Sequence, residues 1–140
     1  MIFRMKVYMG THSANFEILD NINSRYGFPA LFFTNNLHLA RLYATHYAKE
    51  NDLSGGYVYE FEIRSPDEVI DWNNFSYSAE FVQKINDLYN EKHKSAALRN
   101  VIDFPKQDYS RFVYSDIYIV FDFKSEITSH RVIEENVSIE

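Results

Sequence analysis

The sequence contains no cysteine, only four glycines and only three prolines in 140 residues. Without cysteine the chain can form no disulfide, use no thiolate nucleophile and bind no metal through a thiolate. Scarce glycine and proline, together with 46% hydrophobic residues, exclude a disordered or low-complexity chain. Because a chain of this length can bury most of its apolar surface in one core, we predict a single domain over residues 1–140.

Long apolar runs and an excess of basic residues are also missing. No stretch approaches the roughly 20 apolar residues that span a bilayer, and the first ten residues mix charged with apolar side chains where a signal peptide needs an apolar run. The 14 basic residues are outnumbered by 20 acidic ones, whereas a nucleic-acid groove needs a basic patch. We therefore predict a cytoplasmic protein with no membrane segment and no nucleic-acid groove.

Apolar and aromatic residues follow the periods of strands and helices along most of the chain. Alternation predicts strands in FRMKVYM, ALFFT, YVYEFEIR and YSDIYIVFDF, and a short strand in HRVIEENV. Helical spacing predicts a helix in LHLARLYATHYAKEN after Asn35 or Asn36, another in SAEFVQKINDLYNEK after Ser78, and a short one in NFEILDNI. The pattern from Ser95 to Arg111 is ambiguous. The irregular order of strands and helices, without a dinucleotide-binding glycine fingerprint, predicts an α+β fold with mainly antiparallel strands.

Three separated stretches follow one another along the chain: VYMGTHSANFEIL, LFFTNNLHLARLYA and YSDIYIVFDFKSEI. Together they resemble the ADP-ribosyltransferase family, which uses NAD as a substrate. The first is similar to the family's opening strand with its His-Gly-Thr or His-Gly-Ser, and the second to a Tyr-Phe strand end followed by a helix with a second tyrosine. The third is similar to the last-motif strand with its glutamate. The resemblance implies a mainly antiparallel split sheet with two main helices around an NAD cleft.

The resemblance also implies which residues would bind NAD. They are the residues at the matching positions and their neighbours: Met9, Gly10, Thr11, Phe32, Phe33 and Tyr43. Gly10 suits a role in which the backbone contacts the nicotinamide amide, because the absence of a Cβ permits close approach. Tyr43 suits the family's second tyrosine, whose ring stacks on the nicotinamide.

The catalytic positions depart from the family's pattern. Its His-Tyr-Glu triad falls on Met9, Phe32 and Ile117. A thioether is a poor hydrogen-bond partner for a ribose hydroxyl, and isoleucine cannot stabilise the positive charge of an oxocarbenium-like transition state. His12, just beyond the first motif, and Asp116, next to Ile117, are the candidate replacements. Asp116 faces away from Ile117 in a regular strand, so its use would need a bulge or another register.

Three functional hypotheses follow. The first is an atypical mono-ADP-ribosyltransferase of bacterial or phage effector type, which transfers ADP-ribose from NAD to a macromolecular target, expected to be a protein. Its catalysis would use His12, Asp116 or a carboxylate of the target. The second is a catalytically degenerate member that acts as a binding or inhibitory module, in which Met9, Phe32 and Ile117 simply pack in the core. The third is an unrelated α+β protein that binds through exposed tyrosines.

Metal chemistry is not predicted. His38 and His46 lie eight residues apart in one predicted helix, too far to share a metal ion, and the sequence has no His-Glu-x-x-His motif. The resemblance implies one small molecule, NAD, which would be used as a substrate. The oligomeric state stays open.

Overall fold

The computed structural model describes residues 4–14, 28–76, 78–103 and 113–139. Within these ranges the chain forms seven strands and three helices. In chain order they are β1 (Arg4–Thr11), β2 (Leu31–Thr34), α1 (Leu37–Glu50), β3 (Gly56–Arg64), β4 (Val69–Asp71), α2 (Ala79–Asn90), β5 (Ser95–Asp103), β6 (Val113–Val120), α3 (Phe123–Glu126) and β7 (Ile127–Val137).

The strands form one sheet in the order β4-β5-β6-β2-β1-β3-β7. Every neighbouring pair is antiparallel except β4 and β5, which confirms the α+β class with mainly antiparallel strands. A single registered pair, Tyr8 with Thr34, joins β1 to β2. The split sheet and the ADP-ribosyltransferase fold that the resemblance implies stay predictions.

Helix α1 packs directly on the backbone of the sheet. It begins after Asn36, whose side chain accepts a hydrogen bond from the Leu39 N–H at 3.2 Å, as an N-cap does. A Cβ added to Gly10 would lie 1.9 Å from the carbonyl oxygen of Ala40 and 2.5 Å from the amide nitrogen of Ala44. Only glycine fits beneath the helix at this position. We call the face of the sheet that α1 covers the helical face.

Helix α2 packs on the same face. It begins after Ser78, whose hydroxyl accepts a hydrogen bond from the Phe81 N–H at 3.1 Å, so the predicted N-cap is confirmed. Apolar residues of α2, of the strands and of the nearby chain form one buried cluster, the helical-face cluster: Ala30, Leu39, Phe81, Ile85, Leu88, Ala96, Leu98, Val101, Ile117 and Ile119.

The opposite face of the sheet is apolar as well. Its buried residues form a second cluster, the opposite-face cluster: Val7, Leu31, Phe33, Tyr59, Phe61, Ile63, Ala97, Tyr118 and Val120. Because both faces are packed, consecutive residues of β3 are buried, as Val58 and Tyr59 are. The predicted alternation of β3 holds from Tyr59 onward, and Val58 is buried in addition because it packs against Ala40 and Ala44 of α1.

Three further segments of the chain extend the sequence-based predictions or lie outside the described residues. The ambiguous segment forms β5 as far as Asp103, with an irregularity between Leu98 and Val101. The short strand expected in HRVIEENV is part of the 11-residue β7. The helix predicted in NFEILDNI lies outside the described residues.

Candidate functional site

The residues predicted to bind NAD divide between the two faces of the sheet. Phe32 and Tyr43 pack against the helical-face cluster, to which Ile117 belongs, and Gly10 lies on the same face beneath α1. Met9 packs against the opposite-face cluster. Successive residues of a strand point to opposite faces, so the structure brings Phe32, Tyr43 and Ile117 into one cluster and leaves Met9 across the sheet.

The remaining predicted residues lie near the junction of β1 and β2. Phe33 is buried in the opposite-face cluster. Thr11, the last residue of β1, is buried, and His12, directly after the strand, is exposed. Beyond the pair formed by Tyr8 and Thr34, the registered partners of β1 all belong to β3 and those of β2 to β6.

The space around Gly10 is occupied on its helical side. The backbone of α1 takes the volume that a Cβ would fill, so the close approach that a glycine permits is made by the helix. The helix thus closes the helical side of Gly10 to a ligand, and the pairing with Val58 takes up the edge toward β3. On the edge toward β2, one registered pair, Tyr8 with Thr34, joins the two strands.

Asp116 is turned away from Ile117 and holds structural partners. One oxygen of its carboxylate accepts the Asn100 N–H at 3.0 Å, and the other accepts the Asn35 side-chain amide at 3.3 Å. A bulge is present here as the replacement hypothesis requires, but it lies in β5, where Asn100 has a φ of 57°. It brings the Asn100 N–H to Asp116 and leaves Ile117 on the helical face.

The negative charge of Asp116 affects the pKa of Tyr118, two residues further along β6. Burial raises the pKa of Tyr118 above its ordinary value, the negative charge of Asp116 raises it further, and the positive charge of Arg99 lowers it. A buried phenol beside a carboxylate resists ionisation because the phenolate would be poorly solvated and repelled.

The sequence pattern missed a buried carboxylate, Asp103. Its side chain accepts a hydrogen bond from the Tyr43 hydroxyl at 2.8 Å and another from the Ser76 hydroxyl at 3.0 Å. Asp103 is 4% exposed and ends β5, where it is paired in register with Val113. The segment looked ambiguous because apolar and polar residues alternate poorly there. The signal that could have found it is an acidic residue directly after the apolar pair Val101 and Ile102.

Polar side chains also gather where β2 ends and α1 begins. They line an open depression of about 430 Å³, which we call the amide corner: Asn35, Asn36, Asn100, Tyr114, Ser115 and Asp116. Asn36 serves both the helix and the corner, because its oxygen caps α1 and its amide nitrogen donates to the Tyr114 carbonyl at 3.1 Å.

In the part of the chain that the structure describes, no three His, Asp or Glu side chains are grouped so that they could hold a metal ion. Among the same residues, no helix is both long enough and apolar enough to cross a membrane. Comparison of the chain with protein-family models, with curated proteins and with solved structures finds no match.

Proposed function

We propose that this protein is an ADP-ribosyltransferase-like module that binds NAD and lacks a catalytic carboxylate of its own. The observation that carries the proposal is the environment of Ile117, which is 7% exposed and lies in the same apolar cluster as Phe32 and Tyr43. The family's glutamate would stand at this position. Isoleucine leaves aromatic neighbours for a nicotinamide ring but offers no negative charge to an oxocarbenium-like transition state.

The junction of β1 and β2 supports an NAD cleft at this place. Gly10 and Phe32 follow the one registered pair between the two strands, so a flat ring bound there would lie beside the ends of both strands. Tyr43 is held from its far end, because its hydroxyl donates to Asp103 at 2.8 Å. A ring that is fixed before the ligand arrives loses less entropy on binding.

The other two candidate catalytic groups support binding over turnover. His12 is exposed after the end of β1, and Asp116 is engaged by Asn100 and Asn35 on the side away from Ile117. Met9 lies in the opposite-face cluster, where a histidine in its place would also be across the sheet from Phe32. A binding or inhibitory module needs none of these groups to react.

Isothermal titration of the purified protein with NAD tests the proposal. We expect binding by the natural protein and an approximately tenfold weaker affinity for Tyr43→Ala, since a lost ring stack is worth about 1 kcal/mol beyond the lost buried area. Tyr114→Ala is the matched control, because Tyr114 is an exposed tyrosine of the amide corner, on β6. No heat of binding in the natural protein, or equal affinities in both variants, would contradict the proposal.

A second candidate, the atypical mono-ADP-ribosyltransferase, is favoured by Asp103. This buried carboxylate is one hydrogen bond from Tyr43, so it could stabilise positive charge that develops near a ring stacked on Tyr43. ADP-ribose would then pass from NAD to an acceptor on a protein target. Release of nicotinamide over hours, abolished in Asp103→Asn with NAD affinity retained, would support the transferase. Binding without release would support the module.

A further inference from the structure

The amide corner is separate from the proposed NAD cleft. It follows the C-terminal end of β2, at Asn35 and Asn36, whereas the cleft borders the β2 residues before Thr34. Tyr114 and Asp116 alternate along β6 with Ile117, so they point away from the helical face. A ligand of the corner would therefore touch none of Gly10, Phe32 or Tyr43.

The corner has hydrogen-bond acceptors to spare. Each oxygen of the Asp116 carboxylate accepts one hydrogen bond within the described residues, and a carboxylate oxygen has room for a second. The side-chain oxygen of Asn100 accepts none from the same residues, since its amide nitrogen makes the one side-chain contact, to Asn73 at 3.1 Å. Three side-chain oxygens of lining residues, two of Asp116 and one of Asn100, thus keep unused acceptor capacity.

The corner also has donors to spare. Asn35 gives one amide hydrogen to Asp116, Asn36 gives one to the Tyr114 carbonyl, and Asn100 gives one to Asn73. A side-chain amide carries two hydrogens, so each of the three asparagines keeps one. Donors and acceptors therefore stand side by side, which is the arrangement that a hydroxyl group needs because it both donates and accepts.

Charge limits the kind of ligand. Of the six described residues that line the depression, Asp116 is the one that carries a charge, and it is negative. Arg99, on the neighbouring strand, is paired with Asp71 at 3.6 Å. A phosphate or a carboxylate placed in the corner would meet the Asp116 charge, and none of the described lining residues is a cation that would offset the repulsion. The lining thus favours a neutral ligand.

The arrangement is fixed before any ligand binds. Asp116 and Asn35 hold each other: the Asp116 N–H donates to the Asn35 oxygen at 3.1 Å, and the Asn35 amide donates to the Asp116 carboxylate. Asn73 and Asn100, which bond to each other, both have left-handed backbones, with φ of 51° and 57°. Groups fixed in this way bind at a smaller entropic cost, and sparsely populated backbone conformations cluster at ligand sites.

An aromatic ring completes the depression. Tyr114 belongs to the lining and is 62% exposed. Its ring can cover the apolar face of a small molecule whose edge is held by the polar groups. The volume of about 430 Å³ falls within the range of roughly 300–1,000 Å³ typical of small-molecule sites.

We propose that the amide corner binds a neutral carbohydrate. Asp116 accepts hydrogen bonds from two neighbouring hydroxyl groups, the free amide hydrogens of Asn35 and Asn100 donate to the same hydroxyls, and Tyr114 covers a face of the sugar ring. This binding is independent of NAD and needs neither Tyr43 nor Asp103.

Nitrogen-15 NMR of the full chain tests the proposal, since the side-chain amides of Asn35, Asn36 and Asn100 give signals of their own. The probes are the methyl glycosides of glucose, galactose and mannose, each added to about 100 mM. We expect at least one of them to shift all three amide signals in a saturable way, with a Kd that is roughly millimolar for a ligand of this size.

Two variants and a control sharpen the test. Tyr114→Ala should weaken the affinity about fivefold or more, and Asp116→Asn should do the same by changing one acceptor into a donor. Tyr89→Ala, an exposed tyrosine on α2, should leave the affinity unchanged. The proposal is overturned if no glycoside shifts the three signals, if Tyr114→Ala and Asp116→Asn bind as well as the natural protein, or if adenosine shifts the signals and the glycosides do not.

Discussion

The contact of α1 with the sheet and the amide corner are built from opposite kinds of residue. Under α1, Gly10 and Gly56 have no Cβ, so the backbone of α1 lies directly against the backbone of the strands. In the corner, asparagine and aspartate side chains stand between strands and leave part of their hydrogen-bonding capacity unused. Small residues thus close one region completely, whereas polar side chains keep the other open.

This difference bears on how a glycine in a binding motif is interpreted. The sequence resemblance assigns Gly10 to a ligand, because a glycine permits close approach. In the structure α1 makes that approach from the helical side. The proposed NAD cleft must therefore use the edge of β1, while the amide corner offers its side chains openly.

The largest effect is expected from filling the contact under α1. Gly10→Ala places a Cβ 1.9 Å from the Ala40 carbonyl oxygen, and since the clash is with backbone, the helix must move. We expect a loss of at least about 3 kcal/mol in the free energy of unfolding, measured by urea denaturation. Lys6→Ala, at an exposed position of the same strand, is the control. A loss below about 1 kcal/mol for Gly10→Ala would show that α1 does not sit as described.

The next largest effect is expected from removing the Asp103 carboxylate, which accepts hydrogen bonds from Tyr43 and Ser76. Asp103→Ala leaves the hydroxyls of Tyr43 and Ser76 without the acceptor that they share, and we expect it to lower the free energy of unfolding by about 2–3 kcal/mol. Tyr43→Phe should cost about 1 kcal/mol. In the double variant the two losses should not add, because both substitutions remove the same hydrogen bond, the one between Tyr43 and Asp103. Additive losses would mean that Asp103 and Tyr43 do not interact.

A smaller effect separates backbone from side chain in the corner. Asn100→Ala puts an alanine at a φ of 57° and should cost about 1–2 kcal/mol in the free energy of unfolding. Asn100→Gly removes the same amide but accepts the left-handed backbone, so its loss should be clearly smaller. Equal losses, measured by the same urea titration, would place the whole effect in the side-chain hydrogen bonds.

The smallest effect appears at alkaline pH. Since the pKa of Tyr118 is raised by burial and then by Asp116, the folded state holds the phenol proton more tightly than the unfolded state does. This contribution to stability is complete below the ordinary tyrosine pKa and is lost as the pH rises through the raised value. Tyr118→Phe should remove that part of the decline in unfolding free energy above about pH 10. Asp116→Asn should move it to lower pH, and an unchanged profile in both variants would refute the coupling.

Much of the fold could be predicted because its signals are local. The apolar alternation of β2 and β6 and the caps of both long helices, Asn36 and Ser78, can be recognised within a few residues. The prediction was incomplete where a tertiary contact decides. Val58 is buried by α1, and the irregular middle of β5 around Asn100 is held by Asp116 from the next strand, so neither follows from the local pattern.

The candidate site could be predicted only in part for the same reason. The strand period gives the face of each residue, but which face the helices cover depends on packing, and this separates Met9 from Phe32. Asp103 was missed because its partners Tyr43 and Ser76 lie 60 and 27 residues away in the chain. Long-range hydrogen bonds of this kind leave no periodic trace in the sequence.

The most direct test of the central claim is proton NMR of NAD at about millimolar concentration with the purified protein, which follows both saturation transfer to the nicotinamide protons and the appearance of free nicotinamide. The account predicts saturation transfer that is strongly reduced in Tyr43→Ala, and no release over hours, because the proposal places the apolar Ile117 at the position of the family's catalytic glutamate. Absence of saturation transfer to the nicotinamide protons in the natural protein would contradict the account.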